Sequence, residues 1–315
     1  MHSLRLFVLG SLIAMAGGIL PASAGEPPTG VEAGSTAADS MGLGSGLGSA
    51  GEGSSEACGA AAISMPSRPT LTSATDTTAC GVVEVEYGLE RQWPGGGANR
   101  DDLTGGLRLG LTPNLDFHWS SSDFVHLMNE TGNRTGFGDT WLGLRYRFLN
   151  QTKRRPSLGM FYGAKVPSAS TALGGTRQVD QSFSFLASKD LHRLHYDFNA
   201  IELLAGRTTA SGFDHDMGFA LATWLPATRR LSMVFEPYGY TALNAEAPGF
   251  ASATLGCNYR VRPRLYVDGG LDAGVSSAAP KKRVFVGVTY AVGNAYSWLR
   301  NRQNGPATAA LRDGH

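Results

Sequence analysis

Apolar and polar residues alternate one for one along most of the chain beyond residue 80. Leu142, Leu144 and Tyr146, for example, alternate with Arg145 and Arg147. Successive side chains of a β-strand point to opposite faces, so this two-residue period predicts strands with one apolar face and one polar or glycine-bearing face. No helical period is sustained in the same region, and the predicted fold class is therefore all-β.

The alternation delimits about twelve strands of about ten residues, the length that a tilted strand needs to cross the hydrocarbon layer of a membrane. We predict these strands at 82–91, 102–111, 114–123, 138–149, 157–166, 181–188, 194–206, 214–225, 230–241, 250–260, 264–274 and 283–293. The run Ala200-Ile201-Glu202 interrupts the alternation and is predicted to hold a β-bulge.

The connections between these strands alternate in length. Short or basic turns such as 112–113 and 261–263 are followed by longer loops rich in Gly, Ala and Ser, such as 124–137 and 167–180. Outer-membrane barrels have this arrangement, with an even number of strands and their short turns facing the periplasm. The connections therefore favour a barrel that returns both ends of the chain to one side.

A soluble β-sandwich or lipocalin-like barrel would also show alternation, with the apolar face turned inward. Two features favour the inverted arrangement: the strands are uniformly long, and glycine is interspersed on the polar face. Because lipid cannot satisfy backbone hydrogen-bonding groups, a sheet that spans it must close on itself. We therefore predict a single antiparallel transmembrane β-barrel. The five tryptophans fall near predicted strand ends, where aromatic girdles of such barrels lie.

The N-terminus has the pattern of an export signal. Arg5 precedes an apolar stretch over 6–20, and Pro21-Ala22-Ser23-Ala24 supplies a small-residue cleavage site. We predict a signal peptide over 1–24, with an uncleaved membrane anchor as the alternative. After it, no apolar run approaches the roughly 18 residues of a transmembrane helix. The predicted location is the bacterial outer membrane.

Residues 25–79 lack Phe, Trp, Tyr and Lys and consist mainly of Gly, Ser, Ala, Thr and Pro. Such a segment buries too little apolar surface to offset its ordering entropy, so we predict a disordered periplasmic leader over 25–79. The barrel then covers 80–293, and 294–315 form a C-terminal tail. Cys58 and Cys80 could form a disulfide in an oxidising compartment; equally, they and Cys257 could be three unrelated thiols.

One stretch resembles a known family. It reads Thr135-Gly136-Phe137-Gly138-Asp139-Thr140-Trp141-Leu142-Gly143-Leu144-Arg145-Tyr146-Arg147-Phe148-Leu149, a Gly-x-Gly-Asp start followed by an alternating strand, and the turn 109–116 precedes it. It is similar to the outer-membrane β-barrel family of phenol meta-pathway degradation (MetA-like) transporters, with a likeness in layout over 80–293. The resemblance implies passage of aromatic or other hydrophobic compounds. The chain departs from outer-membrane barrels in continuing beyond Gly293 instead of ending on an aromatic residue, which is the usual assembly signal.

Charged residues on the predicted inward face are the candidate lumen-lining residues. They hold water and set which solutes pass, or they pair with one another and fill the interior. These candidates are Glu84, Glu86, Arg108, Asp116, Arg145, Arg147, Lys165, Asp197, Glu236, Asp268 and Asp272.

Nothing in the sequence indicates catalysis, a cofactor or a metal site. No Gly-x-Ser-x-Gly or His-Glu-x-x-His motif occurs. A barrel enzyme that acts on lipids would need a Ser–His pair, with His192, His195 and His215 as candidate bases. With a net charge of +1, the chain has no overall basic field that would indicate a nucleic-acid partner. We predict a channel for passive passage of small molecules; the alternative is a structural or surface-interaction barrel with a filled lumen. The expected partners are outer-membrane lipids, small-molecule solutes and the barrel-assembly machinery.

Overall fold

The computed structural model describes residues 58, 62–94, 98–129, 132–173, 177–208, 211–244 and 247–303. The predicted signal peptide, most of the predicted leader and the end of the tail lie outside these residues.

Thirteen strands make up the described fold. They are β1 (Val82–Trp93), β2 (Asn99–Thr112), β3 (Leu115–Asn129), β4 (Gly132–Gly136), β5 (Thr140–Leu149), β6 (Ser157–Val166), β7 (Gln181–Leu191), β8 (Leu194–Gly206), β9 (Phe213–Pro226), β10 (Leu231–Tyr240), β11 (Phe250–Arg262), β12 (Leu265–Gly274) and β13 (Lys282–Asn294). A short 3-10 helix spans Thr171–Leu173, and helix α1 (Ala295–Gln303) follows the last strand. Among the described helices, none has the length and apolarity required to cross a bilayer.

Twelve of these strands close into one antiparallel barrel. Each wall strand pairs with its neighbour in the chain, and β1 pairs with β13, where Tyr87 lies opposite Val288. The short β4 extends the wall only locally, as a hairpin on β3 in which Met128 lies opposite Asn133. The predicted all-β antiparallel barrel of about twelve strands is confirmed.

The two ends of the barrel differ. We call the end with the tight connections, from which β1 starts and at which β13 finishes, the short-turn end, and the opposite end the loop end. The connections at the short-turn end are 113–114, 150–156, 192–193, 227–230 and 263–264.

The wall presents its apolar face to the outside. Leu144 and Val286 are 43% and 55% exposed, whereas Arg108 and Arg145 are 3% and 1% exposed. A closed barrel whose large aliphatic and aromatic side chains face outward has an exterior that lipid solvates better than water. The protein is thus an outer-membrane β-barrel, with the inverted arrangement that the alternation alone could not distinguish from a soluble one.

Three details differ from the sequence prediction. The predicted loop 124–137 contains the second half of β3 and all of β4. The predicted bulge at Ala200-Ile201-Glu202 is wrong, because β8 pairs in continuous register with both of its neighbours there. Trp141 and Trp224 are 4% and 0% exposed and face the interior, where each joins a small apolar cluster instead of an interfacial girdle.

The lipid-facing surface can be tested at one position. Leu144→Arg is expected to lower the free energy of unfolding by about 2–4 kcal/mol, because an outward arginine in mid-strand lies in hydrocarbon. Asn150→Arg, in an exposed turn of the same hairpin, should change stability little. Urea-induced unfolding in lipid vesicles measures both. Equal effects of the two substitutions would contradict a lipid-facing Leu144.

Candidate functional site: the barrel lumen

The structure places the candidate lumen residues on the inner face of the wall. Ten of them are buried, and Arg147 is partly exposed at the short-turn end. The buried ones are Glu84, Glu86, Arg108, Asp116, Arg145, Lys165, Asp197, Glu236, Asp268 and Asp272. Their role in lining a path for solutes stays a prediction.

The lumen is occupied by the chain itself. Residues 62–79, which we call the plug, lie against the inner wall in the short-turn half of the barrel, and Ser67, Thr72 and Thr75 have no exposed surface. The prediction that the whole of 25–79 is disordered is wrong for this part. That prediction considered only the burial of apolar surface. The plug is instead buried in a polar interior, whose side chains form hydrogen bonds with its backbone N–H and C=O groups.

Carboxylates on one side of the wall hold the first half of the plug. Glu84 accepts a hydrogen bond from the backbone N–H of Met65 at 2.7 Å. Glu86 accepts one from the backbone N–H of Ser67 at 2.6 Å and another from its hydroxyl. These are charge-assisted bonds, each worth about 1.5–3 kcal/mol in a buried setting.

Glu236, on β10 and four strands from β1 around the wall, holds the middle of the plug. It accepts hydrogen bonds from the backbone N–H groups of Leu71 at 2.9 Å and Thr72 at 2.6 Å, and from the Thr72 hydroxyl. Next to it, the Asn199 side chain accepts from the N–H of Ser73 at 2.7 Å and donates to the carbonyl of the same residue at 2.8 Å. The middle of the plug is thus bound through its backbone.

The last part of the plug is bound in the same manner. The Ser188 hydroxyl accepts a hydrogen bond from the N–H of Thr75 at 2.9 Å, and Asp116 accepts one from the N–H of Thr78 at 2.7 Å. Carboxylate, amide and hydroxyl groups on five wall strands therefore bind a single extended segment.

Two ion pairs join the plug to the wall. The Arg68 guanidinium lies 3.2 Å from Asp268, and Arg147 lies 2.6 Å from Asp76 of the plug. Arg68 needs space on the wall, which two inward-facing glycines provide: a Cβ on Gly88 or Gly287 would lie 2.3 Å from its guanidinium. This explains part of the glycine content of the polar face.

The wall's own arginines balance its carboxylates. Arg108 bonds Glu84 and, at 2.8 Å, Glu86. Arg145 donates to Asp116 at 2.6 Å and 3.2 Å and to the carbonyl of Ala74 in the plug at 3.2 Å. Because these charges are buried, each depends on its partners to offset the loss of water.

A disulfide joins Cys58 to Cys80, and Cys257 is a free thiol. Of the two alternatives that the sequence left open, the Cys58–Cys80 disulfide is confirmed. Cys80 bridges Gly110 at the short-turn end of β2. The plug is therefore part of a covalent loop whose two ends meet beside the first wall strand, Val82–Trp93.

Towards the loop end, Lys165 on β6 lies 2.5 Å from Asp180 and 3.6 Å from Asp139, which directly precede the neighbouring strands β7 and β5. Asp180 also accepts a hydrogen bond from the N–H of Gly206 at 2.9 Å. Asp139 belongs to the Gly-x-Gly-Asp segment, so this motif fixes the connection between β4 and β5 to the loop after β6. Asp272 accepts from Thr254 at 2.8 Å on the other side.

In the described part of the chain, neither His195 nor His215 is hydrogen-bonded to a serine. His195 lies 2.7 Å from Asp190 and 3.0 Å from Asp197, and the nearby Ser188 hydroxyl donates to Asp197 at 2.6 Å instead of to the imidazole. His215 bonds Glu202 at 2.7 Å near the loop end. Within the described ranges, no group of three or more potential metal ligands occurs.

Comparison with known proteins gives a match in structure only. No family profile matches the chain, and no curated protein matches it in sequence. The outer membrane channel from Pseudomonas putida F1 superimposes with a TM-score of 0.55 at 12% identity, over 69% of this chain and 97% of that one. The NanC porin gives 0.49 at 8% identity, over 67% and 100%. The KdgM porin, solved with disordered oligogalacturonate, gives 0.45 at 10% identity, over 66% and 98%. These likenesses concern the barrel fold.

Proposed function

We propose that the protein is an outer-membrane channel for passive passage of small molecules, with the plug as its internal barrier. The observation that supports this most is how the plug is held. Its contacts with Glu84, Glu86, Asp116 and Glu236 are hydrogen bonds to a polar wall, not interdigitated apolar packing. Water or a polar solute can replace such bonds one at a time, so the plug can yield without disturbing the wall.

The substrates we propose are aromatic or other hydrophobic compounds, as the resemblance of 135–149 to the phenol meta-pathway transporters implies. Apolar side chains inside the lumen support this proposal. Trp141 packs with Leu203, and Phe161 packs with Leu186, all four facing inward above or beside the plug. These side chains offer an aromatic solute contacts that a purely charged lumen would lack.

A second function, a barrel that acts through its exterior with the lumen permanently filled, is favoured by one observation. Nearly all inward-facing polar side chains are buried, including Glu236 and Asp197 at 0% exposure. In this conformation the short-turn half of the lumen is closed, and solute passes only if the plug is displaced.

Removal of the plug separates the two functions. A variant lacking 62–78 should conduct ions several-fold better in planar bilayers than the full chain, because it opens the short-turn half of the lumen. A variant lacking 35–51, a deletion of equal length in the Gly-rich part of the predicted leader, is the matched control and should conduct like the full chain. Retained β-sheet circular dichroism establishes that both variants fold.

The conductance of the variant lacking 62–78 decides between the channel and the filled barrel. Absence of conductance in the variant lacking 62–78 would contradict the channel and leave the filled barrel. The same vesicles test the substrate class: benzyl alcohol should enter faster than a sugar of similar size. Equal entry of both would overturn the aromatic preference while leaving the channel intact.

We also propose that the barrel-assembly machinery reads an internal strand of this chain. β13 ends at Asn294 and α1 follows it, so the strand that closes the barrel is not the end of the chain. Its segment Gly287-Val288-Thr289-Tyr290 presents Val288 and Tyr290 outward, 39% and 42% exposed, in the manner of a terminal aromatic signal.

A further inference from the structure

The short-turn end carries a strongly basic surface. Four consecutive hairpin turns, from β5–β6 to β11–β12, contribute to it, and we call it the basic rim. Its exposed members are Lys153, Arg154, Arg155, Arg193, Arg229, Arg230, Arg260, Arg262 and Arg264. None of them forms an ion pair with an acidic side chain in the described part of the chain.

The rim is almost free of compensating negative charge. Asp190 is the only acidic residue in the stretches 150–156, 189–193, 227–230 and 260–264, and it is bonded to His195 and Gln151. Like charges placed this close together repel one another, so the rim favours an acidic partner.

The chain contains such a partner. Residues 32–57 include Glu32, Asp39, Glu52 and Glu56 and no Lys, Arg or His. The disulfide of Cys58 fixes the end of this segment at the short-turn end, beside Cys80.

The segment is long enough to reach the whole rim. The segment has 26 residues, and a random-coil chain of that length has a root-mean-square span of about 30 Å. A twelve-stranded barrel is about 25 Å across, given strands about 4.8 Å apart and tilted by about 40°. Because the segment is tethered, its effective concentration at the rim is in the millimolar range, so weak pairs suffice to hold it there.

We propose that the basic rim is the docking surface of the acidic segment 32–57 of the same chain. Arg260 favours this occupant over lipid headgroups. It is two residues beyond the buried Asn258 and so continues the inward alternation of β11, while Tyr259 between them is 40% exposed on the outer face, and a β-bulge follows before Arg262. Its guanidinium donates to the carbonyl of Arg229 in the neighbouring turn at 2.9 Å, which holds it at the short-turn end.

Carbodiimide cross-linking tests the proposal, because this reagent joins a carboxylate to an amine only when the two are in contact. In the full chain in non-ionic detergent at low salt, mass spectrometry should find 32–57 linked to Lys153 or Lys189. The links should fall several-fold at about 1 M salt, where the Debye length is about 3 Å.

Two variants provide the comparison. Replacing Arg154, Arg155, Arg193, Arg229 and Arg230 with Gln keeps both lysines but should remove most of the links. Lys281→Gln with Lys282→Gln, at the loop end, should leave them unchanged. Links that are absent, or that persist when the rim is neutralised, would overturn the proposal.

The alternative occupant is tested in bilayers. The links should persist when the protein is moved from zwitterionic bilayers to bilayers containing anionic phospholipid. Their loss on adding anionic phospholipid would assign the rim to lipid headgroups and overturn docking of the acidic segment in the membrane.

Discussion

Arg145→Met is expected to lower the free energy of unfolding of the barrel by about 3–5 kcal/mol, because it removes the guanidinium from the buried carboxylate of Asp116 and leaves only the contacts with His118 and the N–H of Thr78. Arg145 is 1% exposed and Asp116 has no exposed surface, so water cannot replace the lost guanidinium. The substitution also removes the bond to the carbonyl of Ala74, and it should therefore loosen the plug as well as the wall.

The charge balance, not the volume of the arginine, is the expected cause. Arg145→Met combined with Asp116→Asn removes both charges and should recover more than half of the lost stability. Arg147→Met is the matched control, because Arg147 and Asp76 are both partly exposed and pair at the edge of the wall. Its cost should stay below about 1 kcal/mol.

Urea-induced unfolding in vesicles, followed by tryptophan fluorescence, measures all three variants. Hydrogen exchange of 62–79 reports the plug separately. A double variant as unstable as Arg145→Met alone would show that the arginine acts through packing, and the electrostatic explanation would be wrong.

The wall of this barrel could be predicted from its sequence because lipid and lumen impose opposite demands on neighbouring residues. Leu144 and Arg145 are adjacent in the chain, and the structure places one in lipid and the other in the interior. Strand length, turn length and an even strand count follow from the same constraint. The predicted bulge at Ile201 and the predicted interfacial position of Trp141 were wrong because both side chains are apolar yet face inward. The interior contains small apolar clusters, and alternation does not reveal them.

The plug could not be predicted in this way. Disorder was inferred from the absence of aromatic residues, which is valid for a segment that has to bury apolar surface. Thr72 and Thr75 are instead buried by hydrogen bonds to a wall assembled from strands far away in the chain. One signal was available: residues 62–79 contain no glycine and are rich in Ser and Thr, in contrast to the Gly-rich stretch before them. The inward-facing acidic residues that bind the plug were all named as lumen candidates, although their partner was not.

Opening of the disulfide is expected to have the largest effect on the plug. Cys58 and Cys80 are 22 residues apart, and a cross-link that closes a loop of this length removes about 3 kcal/mol of chain entropy from the released state. Each 1.4 kcal/mol changes an equilibrium about tenfold, so loss of the bond should raise the released fraction of the plug by about 100-fold.

Cys58→Ser makes this change without altering the wall. Backbone amides of Ser67, Thr72 and Thr75, which donate to wall side chains, should exchange with deuterium about 100-fold faster than in the oxidised protein if exchange follows plug release. Amides of β10 and β11 should exchange at an unchanged rate, because their bonds lie within the wall.

Reduction of the full chain with a dithiol should reproduce the effect of Cys58→Ser, and Cys257→Ser, which removes the free thiol, should not. If the plug exchanged equally fast in oxidised and reduced protein, its retention would depend on the wall's hydrogen bonds alone. If reduction raised both the hydrogen exchange of the plug and the conductance, the loop closed by Cys58 and Cys80 would be what keeps the channel shut. In the described part of the chain, no other covalent link joins the N-terminal side of the plug to the wall.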